Sequence, residues 1–118
     1  MPNQSDLLML RDNLRSFAAD RDWDQFHSPK NLSMALMVEV AELMEHFQWL
    51  TEAQSLDLAA KSKDAVSEEL ADILLYLVRL SDKLDVDLPK AALRKLEKNA
   101  AKYPAEQVRG SAKKYTEY

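Results

Sequence analysis

A single glycine, Gly110, stands in a chain of 118 residues, and this scarcity constrains the fold more than any other feature. Tight hairpin turns depend on residues that tolerate positive φ, glycine above all. Alanine, leucine, lysine and glutamate, which favour helix, are plentiful. The sequence therefore predicts an all-α chain. By length it forms one domain, 1–118, able to hide roughly two thirds of its unfolded surface without covalent staples. Cysteine is absent, which excludes disulfides, thiolate metal ligands and thiol nucleophiles, and suits a reducing, cytoplasmic setting. No apolar run approaches the ~18 residues of a membrane helix, and the N-terminus has no basic segment before an apolar one. The expectation is a soluble, unexported protein without a membrane partner.

Hydrophobic spacing predicts four main helices. The first runs from Asp6 to about Asp20, with Ser5 as N-cap and Leu7, Leu10, Leu14 and Phe17 on one stripe. After the aromatic-rich connection "RDWDQFHSP", Pro29 opens a second helix striped by Leu32, Leu36, Val40, Leu43 and Phe47. Residues 51–64 are polar with room for a short helical turn, and the third helix carries Val66, Leu70, Ile73, Leu77, Leu80 and Leu84. Asp87 caps the fourth, Pro89 sits in its first turn and Pro104 ends it, leaving 104–118 as a polar C-terminal tail. Helices of this length predict a four-helix bundle.

The second and third helices carry acids in register. "EVAELMEHF" from Glu39 aligns with "ELADILLYL" from Glu69, so that Glu39 and Glu42 repeat as Glu69 and Asp72. At 100° per residue each pair lies beside the helix's apolar stripe. If the pairs face each other, two carboxylates about 5 Å apart repel by roughly 3 kcal/mol at an effective dielectric of 20. Such a cluster needs a cation, and hard oxygen donors suit Mg²⁺, or Mn²⁺ as a substitute. The competing reading is that each pair is a solvated face. Glu45 and Glu68 fall outside the pairs and read as surface charges or as groups that support the ligands from behind, not as ligands. A di-iron bundle would require two ExxH motifs, which are missing.

The ExxE…ExxD spacing resembles the signature of the MazG-like, all-alpha nucleoside triphosphate pyrophosphohydrolases. The flanking segments "RDWDQFHSPKNL", "EHFQWL", "EELADILLYLVRL", "VDLPKAALRKLEKNAAKYP" and "KKYTE" resemble the branch of that family acting on dCTP. The likeness extends from about Leu14 to Glu117. It implies a bundle-like MazG fold assembled as a homodimer or homotetramer. It also implies Mg²⁺-dependent hydrolysis of a nucleoside triphosphate, dCTP or a modified relative, to monophosphate and pyrophosphate. By the same resemblance Glu39, Glu42, Glu69 and Asp72 are metal ligands, Trp23, Trp49 and Tyr76 pocket aromatics, and Lys95, Asn99 and Lys102 phosphate-side groups.

The residues themselves allow both functional and structural readings. Phosphoryl transfer asks mainly for positioning and charge neutralisation, so metal, water and cationic side chains suffice. Glu42 is the first choice for orienting the attacking water, beside Glu39. Trp23 and Trp49 either stack on a base or fill the core. His27 caps the connection or helps to recognise the base, Tyr76 lines a pocket or satisfies a core hydrogen bond, and His46 is structural. Lys95, Asn99 and Lys102 follow a 4-then-3 spacing that keeps one helix face.

Charge supports a composite site. The net charge of −4 argues against a nucleic-acid polymer as partner. Residues 1–87 hold 17 acidic against 8 basic side chains, whereas 88–118 hold 3 against 8. Apolar and small residues on nearly every side of the second helix, from Leu32 to Leu43, predict burial against another copy. A catalytically silent helical oligomerisation or nucleotide-sensing module on the same scaffold is the alternative function. A further one is an anion-binding bundle that uses its basic last helix without metal.

Overall fold

The computed structural model describes residues 5–117, and among these every regular element is helical. They fall into two compact units, one ending at Val86 and the other beginning at Asp87. In the first unit, α1 (Asp6–Asp20), α2 (Pro29–Glu45), the one-turn α3 (Glu52–Ser55) and α4 (Ala60–Lys83) follow in order. The long α4 packs against both α2 and α1. The second unit holds α5 (Leu88–Lys102) and the short α6 (Ala105–Val108).

Local chemistry explains most boundaries. The Ser28 hydroxyl accepts from the Asn31 amide at 3.1 Å, with Pro29 in the first turn, where its missing N–H costs nothing. Thr51 and Gln54 form a reciprocal capping box at the start of α3. Asp87 caps α5 by accepting from the Lys90 amide at 3.1 Å, and α5 stops two residues before Pro104. The helix α4 begins at Ala60, several residues earlier than its apolar stripe suggests, and does so without a side-chain cap. The polar C-terminal stretch is also more structured than its composition suggests, with α6 and a 3₁₀ turn at Tyr115–Glu117. Gly110, at φ 78°, turns the chain just after α6.

Two helix ends that would normally use glycine use aspartate. After α1, the Asp22 amide donates to Ala19 O at 3.1 Å and the Trp23 amide to Ala18 O at 2.9 Å, with Asp22 at φ 53°. After α4 the pattern repeats: Asp85 to Asp82 O at 3.1 Å, Val86 to Ser81 O at 2.9 Å, with Asp85 at φ 54°. Both are Schellman endings. The first reverses the chain sharply enough to fold Trp23 back against Phe17, edge to face at 5.7 Å between ring centres.

The core is small: Ala18, Leu32, Val66 and Val78 are buried, and Arg79 lies among them. It is also rotated from the stripes read off the sequence. Leu70 is 53% and Val40 40% exposed, whereas Val78, absent from the expected stripe, is buried. Because α4 packs on two helices, its buried arc is set by both neighbours and leaves Leu70 outside. Across the α1–α4 seam Arg15 binds Asp82 bidentately at 2.6 and 2.8 Å.

Replacing Asp85 by glycine relieves the left-handed backbone. The expected gain is about 0.5–1 kcal/mol, read as a rise of a few degrees in the melting temperature.

Candidate functional site

Glu39 from α2 and Glu69 and Asp72 from α4 converge, each offering a carboxylate oxygen within 4.8 Å of the others. Close packing of α2 on α4 imposes this convergence, because the acids flank the apolar positions at the contact. Glu42, one turn along α2, completes the negative surroundings of Glu39. Burial, the adjoining Glu69 carboxylate, which can accept from Glu39 only when Glu39 is protonated, and the charges of Glu42 and Asp72 push the Glu39 carboxyl up to about 7. His46 Nε2 stands 3.8 Å from Glu69 Oε1, within ion-pair range but too long for a hydrogen bond.

The cluster fits a divalent cation. Glu39 Oε2 and Glu69 Oε2 are buried and have no hydrogen-bond partner, an arrangement that costs free energy unless something positive meets them. All the donors are hard carboxylate oxygens, the set that Mg²⁺ and Mn²⁺ prefer.

Beside the cluster opens a cavity of about 330 Å³, at the small end of the range for ligand pockets. Phe17, Trp23 and His27 line one side, and Asp72, Tyr76 and Arg79 line the α4 side. The last three are spaced four and then three residues apart, so they share one face of α4. The rise from Asp72 to Arg79 is about 10 Å. Asp72 belongs to both the carboxylate cluster and the cavity wall.

Residues 34–118 match the MazG-like family. The chain belongs to this family. The MazG-like chain is 50% identical over 103 residues to dCTP pyrophosphatase 1 of Rattus norvegicus, a match covering 86% of this chain and 61% of that protein. Its identity to dCTP pyrophosphatase 1 of Homo sapiens is 48% over the same shares. The chain thus spans about 61% of the length of the curated relatives it matches. A pyrophosphatase from Archaeoglobus fulgidus, known from its crystal structure, is 39% identical with a TM-score of 0.81, covering 88% of this chain and 97% of that one.

The residues singled out from the sequence of this MazG-like protein fall into three places. Glu39, Glu69 and Asp72 form the cluster, with Glu42 beside it. Trp23, His27 and Tyr76 line the cavity. Trp49 follows α2 and is 87% exposed, outside the cavity lining. Lys95, Asn99 and Lys102 lie on α5 in the second unit.

Sequence reasoning missed Arg79, which is buried in the cavity wall. The available signal was a lone arginine within the apolar run "LLYLVRL", in helical register with Asp72 and Tyr76. It also missed Asn13 on the α1 wall of the cavity and Asp24, which binds Arg79 and Lys83.

The raised Glu39 carboxyl makes a stability prediction. Between the ordinary carboxyl range and about pH 7 the folded state holds the Glu39 proton more tightly than the unfolded one, so apo stability falls as pH rises through that window. Glu39→Gln should therefore stabilise the apo fold at about pH 8 by on the order of 1 kcal/mol after allowing for solvent screening, seen as a higher melting temperature. The same variant should lose most of the stabilisation that Mg²⁺ gives the wild type. Thermal melts with and without Mg²⁺ check both.

Proposed function

We propose that this MazG-like domain hydrolyses a deoxynucleoside triphosphate, dCTP or a modified relative, to the monophosphate and pyrophosphate with Mg²⁺ as cofactor. The observation that carries the reading is Asp72, shared by the carboxylate cluster and the aromatic cavity. A ligand with a flat base and a polyphosphate has one end suited to each. The likeness to proteins named dCTP pyrophosphatase 1 and to a pyrophosphatase supports the same substrate class.

In this reading Glu39, Glu42, Glu69 and Asp72 hold the metal. When bound, Mg²⁺ neutralises phosphate charge and lowers the proton affinity of coordinated water. Glu42, outside the close three-acid group but next to Glu39, orients the attacking water and takes its proton. Trp23, with its ring set by the edge-to-face contact to Phe17, and Tyr76 flank the base, while His27 contacts its polar edge. Trp49, outside the cavity lining and far too exposed for a core role, offers an open ring face on which a base can stack. Lys95, Asn99 and Lys102 share one face of α5, whose two ammonium groups and amide suit phosphate oxygens.

The working form in this reading is a homodimer or homotetramer. On α2, Met34, Met37, Val38 and Met44 are 55–65% exposed, an apolar surface that a second copy would cover.

Product analysis tests the reading. Purified protein with Mg²⁺ should release monophosphate and pyrophosphate in equal amounts. Glu42→Gln and Asp72→Asn should each reduce turnover by about 100-fold or more. Full Mg²⁺-dependent turnover in both variants would contradict the assignment, and triphosphate binding without turnover would indicate a sensing module.

A further inference from the structure

Arg79 is 5% exposed, and an arginine so far from water is costly unless its N–H groups find acceptors. Its Nη2 donates to Asp24 Oδ1, its Nη1 lies 3.6 Å from Asp82 Oδ2, and its Nε donates to His27 Nδ1 at 3.1 Å. The last contact decides the state of the histidine. A ring nitrogen that accepts a hydrogen bond carries no proton, so the neutral imidazole must hold its proton on Nε2.

The surroundings keep that arrangement in place. Burial, then the positive charges of Arg79 and Lys83, lower the proton affinity of His27, with Asp24 opposing. The guanidinium is itself pinned: Asp82 is held from α1 by Arg15, and Asp24 is shared with Lys83. The Trp23 ring meets the imidazole edge-on, 6.5 Å between centres. Ring orientation and tautomer are therefore set by the protein before any ligand arrives, which leaves Nε2–H as the edge for a ligand in the cavity that His27 lines.

We propose that Arg79 is a positioning residue that holds His27 as a fixed, neutral Nε2–H donor, and that this donor selects pyrimidines whose ring N3 is an acceptor. Cytosine N3 offers a lone pair, whereas thymine and uracil N3 carry a hydrogen. A donor that cannot exchange its tautomer gains a hydrogen bond from the first and opposes N–H to N–H with the second. Such a mismatch at a buried site amounts to about a tenfold preference or more. The inference rests on the nucleotide reading above, while the tautomer itself does not.

Two readouts on the full chain test it. Long-range ¹H–¹⁵N NMR, with His27 and His46 told apart by a His46→Gln variant, should show His27 protonated at Nε2 and bare at Nδ1 at neutral pH. A dominant Nδ1–H tautomer, or an imidazolium, overturns the proposal whether or not the protein turns over nucleotides. In Arg79→Met, which keeps bulk but no N–H, His27 should populate both tautomers. The ratio of kcat/KM for dCTP over dTTP should fall about tenfold, and Arg79→Lys, which restores a donor, should recover part of it. A folded Arg79→Met protein with the wild-type ratio overturns the proposal. If that variant does not fold, the wild-type tautomer and the Lys variant decide. A locked Nε2–H tautomer with no turnover of any nucleoside triphosphate would refute the hydrolase reading and base selection with it, whereas the wrong tautomer with intact turnover refutes this inference alone.

Discussion

Like charge concentrated at the contact between α2 and α4 is the constraint around which the rest of this fold is arranged. Three carboxylates within 4.8 Å of one another repel, when ionised, by roughly 3 kcal/mol per pair at an effective dielectric of 20, and the two buried oxygens lacking donors add a desolvation cost. The apolar packing of α4 against α2 and α1 holds these groups in place despite that cost. Part of the strain is relieved by proton uptake on Glu39, whose carboxyl sits near neutrality. A cation can relieve the remainder, and the free energy so released becomes binding energy for the cation and its ligand.

The helix α4 acts as a ruler between two kinds of chemistry. At one level Asp72 belongs to the acid cluster. One turn on, Tyr76 lines the cavity, and at the next turn Arg79 closes it with His27. The spacing follows from helix geometry alone, about 10 Å from the first to the last of these residues, close to the length of a nucleoside. The far end is as firmly anchored as the near one is strained. Arg15, Asp82, Arg79, Asp24 and Lys83 tie α1, the 3₁₀ turn at Asp24–Phe26 and α4 into one ionic chain.

Much of this was legible in the sequence, and what was not has physical reasons. The helices, the caps at Ser5 and Asp87 and the prolines that open α2 and α5 follow from local rules that require no tertiary knowledge. The registered acids were visible as a repeat, and their convergence needed only that their helices pack face to face. Glycine scarcity pointed to helices but hid how they end. Aspartate at positions 22 and 85 occupies left-handed backbone that sequence patterns assign to glycine. The core stripe of α4 differs from the one its own period suggests because its two packing partners, α2 and α1, set the buried arc and leave Leu70 outside. Arg79 was overlooked because an arginine's burial depends on partners 52 and 55 residues away in sequence, His27 and Asp24, which no local window brings together.

The most direct measurement of the central claim is anomalous diffraction from crystals grown with Mn²⁺. The account predicts a peak at coordination distance, about 2 Å, from oxygens of Glu39, Glu69 and Asp72. Well-ordered carboxylates with no anomalous peak among them, under saturating Mn²⁺, would contradict it.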